Sequence, residues 1–307
     1  MDRFIISAMG KPINYFPQYL ASELGYFKDV DLDVQVSEPG TWSQAMDDLA
    51  KGQVHAAING IWLPALYRNR IYDFYGFAQT SARCPMVLVS REPVDDFSWQ
   101  MLLDRVVPIV VGKGLSGLPG YLFLAGAFKR SSHDYNRVRF IHDLEAEMAI
   151  RLFTSGMGEY IAADPVTAAS LIHKGLGYHA ANLAEIGERI PWSVYFTTSD
   201  RLNQEDGKMN RFTLALHRAM DWIRENDLSQ VEETIRNQYS MYPFNHVMKS
   251  LQLYKACGMW ESAGIDASAL ASWEETMKNE GIIDRVYAFT ELIDPRPHEF
   301  VSQFVSR

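Results

Sequence analysis

Most residues whose types could build a binding site in this 307-residue chain fall in three short loops. They are Gly10-Lys11-Pro12-Ile13-Asn14-Tyr15, Glu38-Pro39-Gly40-Thr41-Trp42-Ser43 and Gly112-Lys113-Gly114-Leu115-Ser116-Gly117. Each ends an apolar run and precedes a helix-like stretch. The first N–H groups of such a helix lack intrahelical partners and carry partial positive charge, which suits a sulfonate, carboxylate or phosphate. For any single hydroxyl, N-capping by Thr41, Ser43 or Ser116 is the competing reading. The repeated placement of the three loops favours a binding cleft. Lys11 and Lys113 hold equivalent places and could attract an anion from opposite walls, although a solvated lysine is the commoner case. The Gly112, Gly114 and Gly117 spacing is not a P-loop, because no Gly-Lys-Ser/Thr follows at the required distance.

Aromatic residues crowd the same loops and the segments that would connect them: Tyr15, Phe16, Trp42, Trp62, Trp192 and Tyr195. Paired rings can sandwich a flat ligand while the Trp and Tyr polar atoms orient it. Core packing is the competing reading, strongest for Phe16. Asn59, at the end of the run "VHAAIN", joins the candidate contacts. In "ARCP", Arg83 could pair bidentately with an acid group, and Cys84 beside it could act as a nucleophile with His142 or His55 as base. An inert buried cysteine is the usual outcome. Asp143 and Asp164 stand where a second set of loops would meet the cleft, and helix capping explains each equally well. His173 and His179 are too sparse for a metal site, and no cofactor motif is present.

These residues need a frame that brings strand ends together. "RFIISA", "LDVQVS" and "VHAAIN" read as strands, separated by the helix-like "FPQYLASELGYF" and "WSQAMDDLAKG". In the first helix the proline is tolerated only in the first turn. This β-α-β-α-β order predicts a mostly parallel sheet. About one hundred residues on, "VPIVVGKGLSGLPGYLFLAGAF" and "EAEMAIRLFTSGMGEYIAADP" repeat the plan, which predicts a second, related lobe. The extended runs in "FAQTSARCPMVLVSREP" and "WSVYFTTS" would carry the chain out of the first lobe and back. From Asn203 the pattern turns helical, with period-3.6 apolar positions at Leu214, Leu216, Met220 and Ile223. Further helices near Val247 to Lys255 and Ala269 to Asn279 are expected to buttress the first lobe.

Composition bounds the function. With 47% hydrophobic and 22% charged residues the chain is of ordinary globular make-up, long enough for two lobes. A net charge of −9 without any Lys/Arg run argues against a nucleic-acid partner. Cys84 and Cys257 are far apart and belong to no CxxC pair, so free thiols are expected. No apolar stretch approaches the roughly 20 residues of a membrane span, and the first residues show no export signal. A cytoplasmic protein is the expectation for the sequence as it stands, and a periplasmic one if this is a mature form.

"YFPQYLASELGYFKDVDLDVQV", "QAMDDLAKGQVHAAI", "PMVLVSREP", "VVGKGLSGLPGYLF", "AADPVTA", "PWSVYFTTSDRL" and "WEETMKNEGIIDRVYAFTELID" together resemble the NMT1/THI5-like solute-binding proteins, in order and over almost the whole chain. That family includes alkanesulfonate, taurine and pyrimidine-precursor binders of ABC importers. The resemblance implies an α/β, two-lobed periplasmic-binding-protein type II fold, each lobe a mostly parallel sheet flanked by helices, with two hinge crossings. Lobe I would comprise residues 1–86 and 194–307, and lobe II residues 87–193. The implied function is capture, in an interlobe cleft, of a planar or partly apolar ligand bearing an acidic group, with an ABC permease as partner. The expected contacts are Gly10, Lys11, Asn14, Tyr15, Glu38, Thr41, Trp42, Asn59, Trp62, Arg83, Lys113, Ser116, Gly117, His142, Asp164 and Trp192, with no metal and no cofactor. The same fold also carries desulfinases, decarboxylases and a thiamin pyrimidine synthase, so a lyase-type enzyme using Cys84, His142 and Arg83 is the alternative. The cysteine cluster of the pyrimidine synthase is absent.

Overall fold

The computed structural model describes residues 1–109, 118–204 and 207–305. The described residues form ten strands: β1 Asp2–Ser7, β2 Leu32–Ser37, β3 Ala56–Asn59, β4 Phe74–Ser81, β5 Val87–Ser90, β6 Val106–Pro108, β7 Arg139–Ile141, β8 Tyr160–Ala163, β9 Tyr178–Asn182 and β10 Ser193–Thr198. Five make a sheet in the order β2-β1-β3-β10-β4. β1 pairs in parallel with β2 and β3, as βαβ connections require, whereas β10 runs antiparallel to β3 and β4. A second sheet, β8-β5-β9, is antiparallel throughout. The parallel pair β6-β7 lies beside it, joined by a bridge between Ile109 and Ala162. Parallel pairing thus holds for the βαβ stretches, and the strands that cross between the sheets supply the antiparallel pairs.

The first strand turns abruptly because Gly10 adopts φ +71°, a left-handed conformation that a side chain would strain. The chain then enters a short 3-10 turn, Ile13–Tyr15, and the helix Phe16–Glu23 with Pro17 in its first turn. That helix and Lys208–Glu225 cover one face of the five-stranded sheet, where Phe4, Phe16, Phe212 and Trp260 are fully or almost fully buried. A second apolar cluster covers the other face and continues into the second sheet, joining Ala57 and Phe196 to Leu88 and Phe123.

The two crossings run side by side. After β4 the chain passes through Ala82–Met86 into β5, and it returns through Ile190–Trp192 into β10. Ile190 N–H donates to Ala82 O at 3.0 Å and Trp192 N–H to Ser81 O at 2.9 Å. Strands β4 and β9 had no counterpart in the sequence reading. The C-terminal helices also depart from it. Lys208–Glu225 packs on the first sheet as expected, but Phe244–Ala256 meets Pro165–His173 and Ala267–Asn279 meets Leu118–Arg130. These helices therefore touch both halves. At the second contact, Glu280 accepts from Tyr121 Oη at 2.6 Å and from Lys129 Nζ at 2.8 Å. Burial alone would raise the Glu280 pKa, but the Lys129 and Tyr121 hydrogen bonds outweigh it and hold the carboxyl below its usual value. No described helix is long and apolar enough to cross a membrane.

Candidate functional site

Ser7 and Asn59 end β1 and β3, Ser81 ends β4, and Ser193 opens β10 at the same edge of the sheet. Ligands of open α/β sheets bind outside such strand ends, where loops and helix starts converge. A cavity of about 480 Å³ lies there. One wall is the loop Met9–Tyr15 with Asn59, Trp62, Trp192 and Ser193, and the other is Pro85, Met86 and Asp164–Val166 from the second sheet. Glu38 and Trp42 line it from a third side, while Tyr254 comes from the helix Phe244–Ala256 and Met241 and Tyr242 from the turn that precedes it.

The first wall is held rigidly. Asn14 donates from Nδ2 to Ser81 Oγ at 2.7 Å and to Ser193 Oγ at 3.1 Å. Its backbone oxygen accepts from Trp260 Nε1 at 3.1 Å. Tyr15 is buried beside it, and desolvation pushes its phenol well above the usual range, only partly offset by a hydrogen bond with Ser193, so the ring is neutral. Trp192 packs edge-on against Phe123, with centroids 6.4 Å apart, and lies 6.4 Å from Trp273. Asn59 Oδ1 accepts from Gly60 N–H at 2.6 Å, which leaves Nδ2 buried with no acceptor among the described residues. Trp62 Nε1 is likewise buried and meets no acceptor among the described residues. An unpaired buried donor costs about 1–3 kcal/mol, which a bound acceptor would recover.

On the opposite wall Asp164 has a structural task as well as a place in the cavity. Its Oδ1 accepts the Val166 and Thr167 N–H groups at 3.0 Å, and Oδ2 accepts the Thr167 hydroxyl at 2.6 Å, so it caps Pro165–His173. Both readings of this residue describe the same carboxylate. Lys11 and Glu38 line the cavity while remaining exposed.

Of the expected contacts, Gly10, Lys11, Asn14, Tyr15, Glu38, Trp42, Asn59, Trp62, Asp164 and Trp192 all line this one cavity. Others lie elsewhere. Thr41 is an N-cap, its Oγ1 accepting from Gln44 N–H at 3.2 Å. Arg83 spends its guanidinium on the Ala184 and Gly187 carbonyls, at 3.2 and 3.1 Å. Phe16 and Tyr195 are core, and Tyr195 donates to Gln18 Oε1 at 2.7 Å. Lys113, Ser116 and Gly117 lie outside the described residues.

The proposed catalytic set of Cys84, His142 and Arg83 is not assembled. Cys84 is fully buried, and desolvation drives its thiol well above the usual value, opposite to what a nucleophile needs. His142 lines a different groove, stacked on Tyr121 at 4.8 Å with Nδ1 2.9 Å from Asp143. His55 is tied into the first sheet, its Nδ1 accepting from Ile5 N–H at 3.0 Å.

Pro85, Met86, Ser193, Met241, Tyr242 and Tyr254 line the cavity but escaped the sequence reading. The aromatic cluster "YSMYPF" around Tyr242 was the available signal. Tyr254 sits on a periodic helix and reads as core. Its hydroxyl donates to Pro85 O at 3.0 Å, tying that helix to the first crossing.

A cavity at strand ends between two sheets joined by paired crossings defines the periplasmic-binding-protein type II fold. The chain belongs to the NMT1/THI5-like family, whose model matches residues 13–227. YtlA of Bacillus subtilis (strain 168), described as a binding protein, is 23% identical over 251 residues, covering 79% of this chain and 72% of that one. The alkanesulfonate-binding protein SsuA from Xanthomonas axonopodis pv. citri, solved bound to MOPS, superposes with a TM-score of 0.69 at 14% identity, covering 95% of this chain and 98% of that one. A DSZB mutant in complex with biphenyl-2-sulfinic acid superposes at 0.68 with 15% identity, covering 100% and 99%. At these identities the likeness of the two structures is one of fold.

Proposed function

We propose that this protein is the solute receptor of an ABC-type uptake system. It binds a planar or partly apolar small molecule carrying an acidic group, of sulfonate, carboxylate or pyrimidine-like chemistry. The observation that carries this reading is the cavity of about 480 Å³ at the strand ends, walled by Tyr15, Trp42, Trp62, Trp192, Tyr242 and Tyr254. Its size and its mix of rings with a few fixed polar groups are those of a small-molecule site. The acidic group would lie toward Lys11 and the unanswered Asn59 and Trp62 donors, away from Asp164. In the reading proposed here, lobe I comprises residues 1–86 and 194–307 and lobe II residues 87–193, the ligand sits between them, and the partner is a permease at the outer face of the cytoplasmic membrane. Cys84, His142 and Arg83 line no common cavity, so nothing in their placement favours the lyase alternative.

The test is a thermal-shift screen of aromatic acids, sulfonates and heteroaromatic acids. A ligand at one hundred times its dissociation constant adds about 2.7 kcal/mol to stability. The expected hit is recovered chemically unchanged after incubation. If no compound of these classes moves the transition, the receptor reading is wrong, and turnover of a hit would make the protein an enzyme.

A further inference from the structure

We propose that Asn14 sets the ligand specificity of the cavity by accepting, at Oδ1, a hydrogen bond from an N–H or O–H of the ligand. The inference rests on the receptor reading above and narrows it: the ligand carries a donor as well as its acidic group.

Asn14 is only 5% exposed and lines the cavity. Both donor contacts of its side-chain amide go to serine hydroxyls, Ser81 Oγ at 2.7 Å and Ser193 Oγ at 3.1 Å. The Ser81 hydroxyl in turn donates to the Asn14 backbone oxygen at 3.3 Å, which leaves its own oxygen to receive the amide hydrogen and accords with the assigned direction of the amide. Oδ1 then takes no bond from the described protein. It is also absent from the side-chain polar atoms that are sealed from solvent without a partner. In a side chain that lines a cavity, the remaining direction for that oxygen is the cavity itself.

The backbone of Asn14 is pinned as firmly, its oxygen accepting from Thr80 Oγ1 at 3.3 Å and Trp260 Nε1 at 3.1 Å. Bonds from the end of β4, the start of β10 and the segment around Trp260 thus present one rigid acceptor. A sulfonate or nitrate oxygen facing it meets like partial charge, whereas an amine, amide or hydroxyl completes it. A site built to hydrogen-bond a donor rejects the analogue lacking it, because the buried acceptor is then left unpaired.

The experiment uses a panel of aromatic and heteroaromatic acids arranged as matched pairs, one member bearing an amino or hydroxyl group and the other a methyl in its place. Examples are para-aminobenzoate against para-toluate and sulfanilate against para-toluenesulfonate. Thermal shift finds the binding pairs, and titration calorimetry gives the affinities. The expected result is that donor-bearing members bind at least about tenfold more tightly than their methyl partners. Asn14→Ala, with its melting transition measured without compound to show that it folds, should bring that ratio close to one. Equal binding within pairs by the unaltered protein overturns the role of Asn14 while leaving a receptor, as does an unchanged ratio in a folded Asn14→Ala. A panel with no binding member overturns the receptor reading and this inference with it. If Asn14→Ala does not fold, the matched pairs on the unaltered protein decide alone.

Discussion

Replacing Asp164 separates its two roles, because the cap and the cavity use different properties of one side chain. Asp164 accepts two backbone N–H groups and a threonine hydroxyl at the start of Pro165–His173. Loss of an N-cap costs about 1 kcal/mol, and loss of a negative charge at a helix N-terminus adds up to about 1 kcal/mol. Asp164→Ala should therefore be less stable by about 2 kcal/mol, roughly 3 °C in melting midpoint for a chain of this length. Asp164→Asn keeps an oxygen for the two N–H groups and loses the charge, and the Thr167 hydroxyl, which now meets an NH2 group, can turn to accept from it, so the variant should fall by about half as much. Urea unfolding followed by far-ultraviolet circular dichroism, in one buffer for all three proteins, gives the comparison. An Asp164→Ala protein within about 0.5 kcal/mol of the unaltered one would refute the capping argument. Ligand affinity measured on Asp164→Asn then reports the cavity role, since the cap is retained while the charge on the wall is gone.

Two further outcomes follow from buried titratable groups. Glu274 is 1% exposed, and burial raises its pKa to about 7, with Tyr287 N–H donating to it at 3.0 Å. The folded protein then keeps a proton that the unfolded chain loses above the ordinary glutamate pKa, so stability should fall as pH rises from about 4.5 to about 7 and stay level above that. Glu274→Gln should remove that slope and be more stable than the unaltered protein at pH 8 by up to about 3 kcal/mol, and parallel urea curves for the two proteins at pH 5 and pH 8 would contradict it. Cys84 is sealed, with its thiol pKa raised by burial, so iodoacetamide at pH 8 should alkylate it only on unfolding. Peptide mapping that finds rapid native-state modification of Cys84 would contradict its placement and revive a nucleophilic role.

The elements that follow local rules were legible in the sequence. "LDVQVS" is strand β2 residue for residue, because hydrophobicity and β-propensity act over a few neighbours. The helix starting at Trp42 was visible from its polar lead-in and periodic apolar face, and Thr41 caps it. The clustering of Gly10, Asn14, Tyr15, Trp62 and Trp192 was legible because strand-end loops of a βαβ sheet must converge on one edge. Local pattern did not reveal strands such as β9, where "YHAAN" alternates too little to stand out from a turn.

By itself the sequence determined that this chain alternates strands and helices, repeats that plan, and places rings and polar residues at the strand ends. Only the tertiary structure decided which of those side chains share a cavity. Tyr254 reaches it from a helix and Met241 from the turn before that helix, each more than two hundred residues away from Asn14, while Arg83, within the first crossing, turns to carbonyls instead. Helical period and strand alternation specify which face a residue occupies, but which element packs against that face depends on the whole chain. Asn14 shows the difference most directly: its type was visible from the start, but the direction of its free oxygen follows from serines at positions 81 and 193.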